Sequence, residues 1–208
     1  QIGEETKSEL VVCYASCWLS WSCAFMGLLE EAIISGDRAM EICKCFEEDQ
    51  YLYYKSLGGV GDAYFLVGQR RKAREAGEAI LEYSKQRGSI RGEVMGHYIT
   101  ALSFEMDGDY QSTIQHARQG VEISMDPFYS IMAKQALSSA YLFNGQLQEG
   151  EDVWKEILSF GREYAGENGE IASRSILSML SFLKGETQDL TAAEEALGEY
   201  LSMGQRGL

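Results

Sequence analysis

The chain has 208 residues, of which 45% are hydrophobic and 24% charged, and its formal net charge is −14 at pH 7. The apolar share is typical of a folded globular protein, and a single proline with no Pro/Gly/Ser-rich linker predicts one continuous domain. The negative charge argues against nucleic-acid binding, which depends on basic patches, and against attraction to an anionic membrane surface.

The first apolar segment, Leu10 to Leu29, contains no charged residue. It is long enough to cross a bilayer, but its serines and cysteines and the acidic pair Glu30 and Glu31 directly after it favour a helix of a folded domain. No basic stretch precedes an apolar run with a small-residue cleavage site, so no signal peptide is visible. The chain does not begin with methionine, and we expect it to be a fragment of a longer protein.

All five cysteines lie in the first quarter of the chain, at positions 13, 17, 23, 43 and 45. An odd, clustered set is not a disulfide framework, and it favours a reducing, cytoplasmic setting. Cys13 and Cys17 share one face of the first predicted helix. The CxxC spacing of a zinc site is absent, however, so we predict small buried residues rather than metal ligands.

A glycine recurs along the chain at intervals of 37 to 41 residues, at Gly27, Gly68, Gly108, Gly145 and Gly185. A small residue lies seven positions before each glycine, and an aromatic residue lies four positions before three of them. A small residue also lies five positions after four of them. A period near 40 predicts a stack of similar units. Each glycine is expected to end a helix, because glycine accepts the positive φ found there.

Each unit is predicted to contain a helix A, a glycine turn and a helix B. In the second unit Leu57, Val60 and Tyr64 are spaced three and four residues apart, as one face of helix A requires. In the fourth, Asp126 is the predicted N-cap and Pro127 the first helical residue. The predicted units span about 8–48, 49–88, 89–125, 126–166 and 167–208.

This order of residues resembles the tetratricopeptide repeat, and the best instance is Gly61-Asp-Ala-Tyr64-Phe-Leu-Val-Gly68-Gln-Arg-Arg-Lys-Ala73. The resemblance covers nearly the whole chain, and the period is similar to that of the extended repeats in large bacterial regulators. It implies an all-α, right-handed superhelix of about five antiparallel helical hairpins, with each helix A on the concave side. Ser181 and Leu190 depart from the pattern in the fifth unit, as expected of a capping repeat.

Recurring positions of each helix A face the groove of such a superhelix, and most of them are apolar or aromatic here. They are Tyr14, Cys17, Trp21, Lys55, Asp62, Phe65, Tyr98, Leu102, Glu105, Gln135, Ser139, Leu142, Ser175, Met179 and Phe182. Six are predicted to anchor a partner: Trp21, Phe65, Tyr98, Leu102, Leu142 and Phe182. The alternative is that several of them pack between neighbouring units. Repeat domains that clamp a chaperone's C-terminal carboxylate need recurring Lys and Asn, so this groove does not fit that subtype.

The predicted function is a non-enzymatic protein–protein interaction scaffold that binds a peptide or helix in an apolar concave groove. One alternative is a regulatory or sensor arm of a multidomain bacterial signalling or transcription-regulating protein. Another is self-association as a homodimer through the first helix, which carries Trp18 and Trp21. The acidic charge favours either an exposed, well-solvated fold or a partner with basic or mixed charge.

Two further sets of residues have a pattern that favours a structural role. His97 and His116 lie in no catalytic motif, although one of them could lie near Asp107. The run Gly58-Gly59-Val60-Gly61 is similar to a phosphate-binding loop but lacks the following Lys-Ser/Thr and a preceding strand. We therefore predict no catalytic residue, no metal site and no cofactor.

Overall fold

The computed structural model describes residues 8–46, 49–160, 166–186 and 190–202. Ten helices and no strand occur in these ranges. They are α1 (Glu9–Phe25), α2 (Leu29–Cys43), α3 (Gln50–Leu66), α4 (Arg70–Arg87), α5 (Ile90–Glu105), α6 (Tyr110–Ile123), α7 (Pro127–Phe143), α8 (Leu147–Phe160), α9 (Gly166–Leu183) and α10 (Thr191–Ser202). The odd-numbered helices are the predicted helices A and the even-numbered ones the helices B.

The predicted glycine turns are confirmed at all five positions. Each glycine has a positive φ, between +72° and +78°. The residue after each glycine donates its backbone N–H to the carbonyl four residues before the glycine, as when Gln69 N bonds Tyr64 O at 2.8 Å. This bond satisfies a carbonyl at the helix end that has no partner within the helix. The same local geometry therefore reverses the chain five times.

Helix starts are also encoded locally. The Asp126 carboxylate accepts a hydrogen bond from Phe128 N at 3.0 Å, and Pro127 is the first residue of α7, which confirms the predicted cap. Asp49 caps α3 in the same way, accepting from Leu52 N at 3.2 Å. Because of that cap, α3 begins at Gln50, seven residues before Leu57, the first residue named on its predicted apolar face.

The recurring small residues lie where the two helices of a hairpin approach most closely. The Ser20 hydroxyl donates to Ala32 O at 2.8 Å, and Ser138 repeats this contact with Gly150 O at 2.8 Å. In each pair the first residue lies seven positions before a turn glycine and the second lies five positions after it. The small-residue pattern is thus a packing requirement.

Consecutive helices pack as antiparallel neighbours, and the odd-numbered helices also pack on one another, in the order α1, α3, α5 and α7. Within the described residues the even-numbered helices contact only odd-numbered ones. Because the described helices A contact one another and the described helices B do not, the stack curves with its odd-numbered helices on the inner side. The fold is an all-α TPR-like solenoid of helical hairpins, as predicted. The exact boundaries between units stay a prediction.

Most of the core follows from this packing. One buried cluster runs from Cys13 in α1 to Tyr141 in α7, and another, around Trp154, Ile157 and Leu180, joins α8 to α9.

None of the described helices is both long and apolar enough to cross a membrane. The uncharged segment from Leu10 to Leu29 forms α1 and the start of α2, with the predicted turn glycine between them.

Candidate protein-binding groove

The N-terminal part of the inner face is filled by the chain's own side chains around Lys55. This lysine is only 3% exposed, and its Nζ lies 5.0–5.3 Å from the centroids of four aromatic rings. Those rings belong to Trp18, Trp21, Phe128 and Tyr129. The rings face the ammonium group with their negative faces, which stabilises a charge held out of water. Burial nevertheless lowers the pKa of Lys55 to about 8.

This aromatic cluster joins helices that are far apart in sequence. Trp18 and Trp21 come from α1, Lys55 from α3, and Phe128 and Tyr129 from the first turn of α7. The sequence places Lys55 among the groove positions but does not predict its aromatic neighbours. Phe128 and Tyr129 follow the Asp126-Pro127 cap, and that cap was the only sequence signal for them.

The six predicted anchors fall into three groups. Trp21 and Leu102 are 4% and 6% exposed and belong to the core, so they offer little surface to a partner. Trp21 also donates its Nε1–H to Lys55 O at 2.8 Å. Phe65, Tyr98 and Leu142 are half-buried, and Phe182 is 38% exposed. The role of all six as partner anchors stays a prediction. Trp21 and Leu102 fit the alternative, in which a groove residue packs between neighbouring units.

The centre of the inner face is polar and acidic. The Tyr98 hydroxyl of α5 donates to Asp62 Oδ1 of α3 at 3.2 Å. Seven residues after Tyr98, on the same face of α5, Glu105 is half-buried, and its Oε2 is shielded from solvent with no hydrogen-bond partner among the described residues. Two successive helices A, α3 and α5, therefore place two acidic side chains and one hydroxyl among the predicted groove positions.

Both carboxyl groups in this centre are costly to ionise. Asp62 is 5% exposed, and burial raises its pKa to about 6, although the hydrogen bond from Tyr98 opposes the shift. Burial also raises the pKa of Glu105, and the Ser139 side chain opposes that shift. Neither carboxyl has a lysine or arginine among the groups that shift its pKa. The site holds negative charge without a described cation beside it.

The C-terminal part of the inner face is more open. Gln135 is exposed, Ser139, Leu142 and Ser175 are half-buried, and Met179 is 37% exposed. Here α9 packs on α8, and its contact with α7 in the described residues runs through the side-chain cluster around Trp154. The predicted groove positions toward the C-terminus are therefore more accessible than those around Lys55.

His97 and His116 contact each other rather than an acid. Their Nδ1 atoms lie 3.1 Å apart, so one nitrogen carries the shared proton and the other accepts it. Burial, with His116 as the second cause, lowers the pKa of His97 to about 4, and burial lowers the pKa of His116 as well. The sequence left open that one of the histidines lies near Asp107. In the structure the described partners of Asp107 are Arg74 and Arg70, which pair with it at 2.5 and 2.9 Å. The pair is a neutral element between α5 and α6.

The five cysteines are all free thiols, and four of them are buried. Burial raises the pKa of Cys13 to about 12 and that of Cys17 to about 11, so both stay protonated and weakly nucleophilic at neutral pH. Cys13 donates its S–H to Ala39 O at 3.4 Å. Among the described residues no group of three or more His, Cys, Asp or Glu could hold a metal ion.

The glycine run from Gly58 to Gly61 is part of α3 and does not form a loop. A Cβ at Gly58 would lie 3.1 Å from the Trp21 ring, and one at Gly59 would meet the same ring at 3.1 Å. The run lets the tryptophan of α1 approach the backbone of α3. Its resemblance to a phosphate loop therefore reflects helix packing.

No protein-family model matches the chain, and no curated protein matches it significantly in sequence. Solved structures match its fold. The chain is similar to the apo form of RapI, with 16% identity over 97% of this chain and 73% of that one and a TM-score of 0.71. It is also similar to a putative kinesin light chain of Podosopora anserina with nearly identical TPR-like repeats, with 18% identity over 93% of this chain and 96% of that one and a TM-score of 0.57. The chain has the TPR-like helical-repeat fold of these proteins.

Proposed function

We propose that the chain is a non-enzymatic interaction module that binds a peptide or helical segment of another protein along the inner face of its helical stack. The observation that carries this proposal is the open part of that face. Met179 and Phe182, two of its predicted positions, are 37% and 38% exposed, and Asp62, Tyr98 and Glu105 supply polar groups at its centre. Interfaces commonly combine apolar anchors with a few placed polar groups.

The chemistry of the described side chains favours binding over catalysis. A nucleophilic thiol needs a lowered pKa, whereas burial raises the pKa of Cys13 and Cys17. A general base needs a partner that orients it toward substrate, whereas the two histidines bond to each other. The same groove would serve a regulatory arm of a multidomain signalling protein, because a segment of another domain would then be the bound peptide.

The test is retention of a defined peptide pool. We expect a mixture of N-acetylated, C-amidated random octapeptides to be retained by the immobilised chain. The double variant Met179→Ala/Phe182→Ala should retain it at least about fivefold less, because each truncated apolar anchor costs on the order of 1 kcal/mol of binding. Mass spectrometry of the eluted peptides gives the ratio.

The matched control is Ile34→Ala, which truncates a side chain of α2 that is 61% exposed and lies outside the groove positions. It should leave retention unchanged. Equal retention by the double variant and the unsubstituted chain would contradict the proposed groove.

A second candidate function, self-association, is favoured by one exposed stripe on α1. Val11, Trp18, Leu19 and Phe25 are 46%, 47%, 52% and 43% exposed, and their spacing places them along one side of the helix. Such an apolar stripe can pack against the same stripe of a second copy about a twofold axis. Light scattering tests this candidate: a dimer has twice the 23.2 kDa mass of the chain, and Leu19→Lys should halve that value. A monomeric mass for the unsubstituted chain at every concentration would reject it.

A further inference from the structure

A cavity of about 380 Å³ lies beside the first turns of α5 and α7 and the linker that joins α6 to α7. Ligand pockets in proteins typically measure roughly 300–1,000 Å³ and combine apolar walls with a few polar groups. None of the residues that line this cavity is a predicted groove position. The cavity is therefore a second candidate site, and its role stands or falls independently of the groove.

Much of the lining is apolar. Val94 and Tyr129 are its buried part, and the ring of Pro127 lies next to them in the lining. Ile90 and Met125 are 41% and 86% exposed, so water covers apolar surface that a ligand would shield. Flexible methionine side chains are common at binding surfaces, because they adapt to the shape of the bound group. The walls therefore favour a ligand with an apolar body.

Most polar groups of the lining already bond to the chain itself. One carboxylate oxygen of Asp126 caps α7, and the other pairs with Arg91 at 2.8 Å. The Ser124 hydroxyl donates to Asp126 O at 3.0 Å. The Tyr129 hydroxyl is bonded to that of Tyr54 at 3.3 Å. The lining therefore has little unsatisfied capacity to accept hydrogen bonds from a ligand.

Arg91 is the polar group of the lining that has donors to spare. Its described polar contact is the pair with Asp126 through one nitrogen, and its guanidinium carbon lies 6.0 Å from the centroid of the Tyr129 ring. The side chain is 62% exposed, so its other N–H groups are accessible to a ligand. Arg91 is also in the first turn of α5, where Ser89 makes no side-chain cap and the helix end adds positive potential. The cavity thus offers donors for an anion beside an apolar wall.

We propose that this cavity binds an ionised carboxylic acid with an apolar body. The ligand carboxylate accepts hydrogen bonds from Arg91, and the apolar body lies against Val94 and Met125. Arginine suits a carboxylate because its planar donors match the two oxygens and the bond is charge-assisted. A metal ion is a poor occupant, since Asp126 is the one carboxylate in the described lining. A free small molecule and the C-terminal residue of a peptide both present this chemistry.

The probes are 3-phenylpropionate and its neutral analogue 3-phenylpropionamide. The readout is NMR of the full chain with ¹³C-labelled methionine methyl groups, because Met125 lines the cavity and Met179 is a groove position. The variant Met125→Leu assigns the Met125 signal. We expect 3-phenylpropionate to shift that signal with a Kd on the order of 1 mM and to leave the Met179 signal in place. The amide should bind about tenfold more weakly, because it lacks the charge-assisted bond.

Two substitutions locate the contact. Arg91→Gln should bring the affinities for the acid and the amide close to each other. The matched control Arg71→Gln removes the same charge from a side chain of α4 that is 87% exposed and outside the cavity, and it should keep the tenfold preference. Ile90→Ala should weaken both probes by a similar factor of about three, because it removes apolar contact and no charge.

A Met125 signal that stays in place at acid concentrations well above the expected Kd would overturn the proposal. Equal affinity for the acid and the amide, or equal losses in Arg91→Gln and Arg71→Gln, would overturn it as well. Circular dichroism shows whether each variant is folded, and the comparison of acid with amide on the unsubstituted chain decides the matter even if Arg91→Gln does not fold.

The N-acetylated tripeptide glycyl-glycyl-phenylalanine distinguishes the two sources of the ligand. It ends in the same phenyl and carboxylate groups as 3-phenylpropionate but extends beyond them. Tighter binding of the tripeptide would assign the cavity to a peptide C-terminus, and weaker binding would assign it to a free small molecule.

Discussion

Alanine at Gly96 is expected to destabilise the protein by about 3 kcal/mol or more. Gly96 lies in α5 where it crosses α4, and a Cβ there would lie 2.7 Å from Leu81 Cγ, 2.8 Å from Leu81 N and 3.0 Å from Gly77 O. Two of those three atoms belong to the backbone of α4, which cannot move aside without separating the helices. The measurement is the urea midpoint of the helical circular dichroism signal.

The matched control for this prediction is Gly198→Ala in α10. A Cβ at Gly198 meets nothing within 4 Å, so alanine should stabilise that helix by about 0.5–1 kcal/mol through its higher helix propensity. A Gly96→Ala variant with an unchanged midpoint would mean that α4 and α5 do not cross at the described distance. Natural domains have roughly 5–15 kcal/mol of stability, so the expected loss is a large share of the total.

Asp62→Asn is expected to stabilise the protein by about 2 kcal/mol at pH 7. Burial raises the pKa of Asp62 from 3.8 to about 6, so the ionised carboxyl destabilises the folded state at neutral pH. Asparagine has no charge to bury, and its Oδ1 can still accept the hydrogen bond from Tyr98. The measurement is the free energy of unfolding of both proteins as a function of pH.

The stabilisation by Asp62→Asn is expected to increase with pH. Because the folded pKa is above the unfolded one, the folded protein binds more protons between about pH 4 and pH 6, and protonation removes the cost of burying the charge. The advantage of Asp62→Asn is therefore full above pH 6, falls to about half at pH 5 and vanishes below about pH 4. An advantage that does not change with pH would show that Asp62 is not buried as an ionised group. Residues whose ionised form costs stability occur often at functional sites, where stability is traded for function.

The turns, caps and hairpin contacts were predictable from the sequence because each depends on residues close together in the chain. Gly68 ends α3 through its own backbone conformation, and Asp126 caps α7 with a carboxylate two residues away from the amide it accepts. Ser138 and Gly150 meet because they flank the same turn. The repeat also predicted which positions of each helix A face inward.

Which of the predicted groove residues are buried and which are exposed was not predictable in the same way. The register marks Trp21 and Leu102 as groove residues as clearly as it marks Phe182, yet the first two lie in the core and the third is accessible. The difference arises because the curvature of the stack brings α1, α3 and α7 together at one end, and register carries no information on curvature.

The sequence by itself determined the helical repeat and its glycine turns, since these follow from local backbone conformation and spacing, and it predicted the residues that face the groove. Only the tertiary structure decided which of those residues are enclosed and which are open. Lys55 and Phe128 are 73 positions apart, and their contact depends on the accumulated rotation of two intervening hairpins. The packing of α5 on α3 likewise brings the Tyr98 hydroxyl to Asp62, so this hydrogen bond is a property of the stack and not of any single repeat.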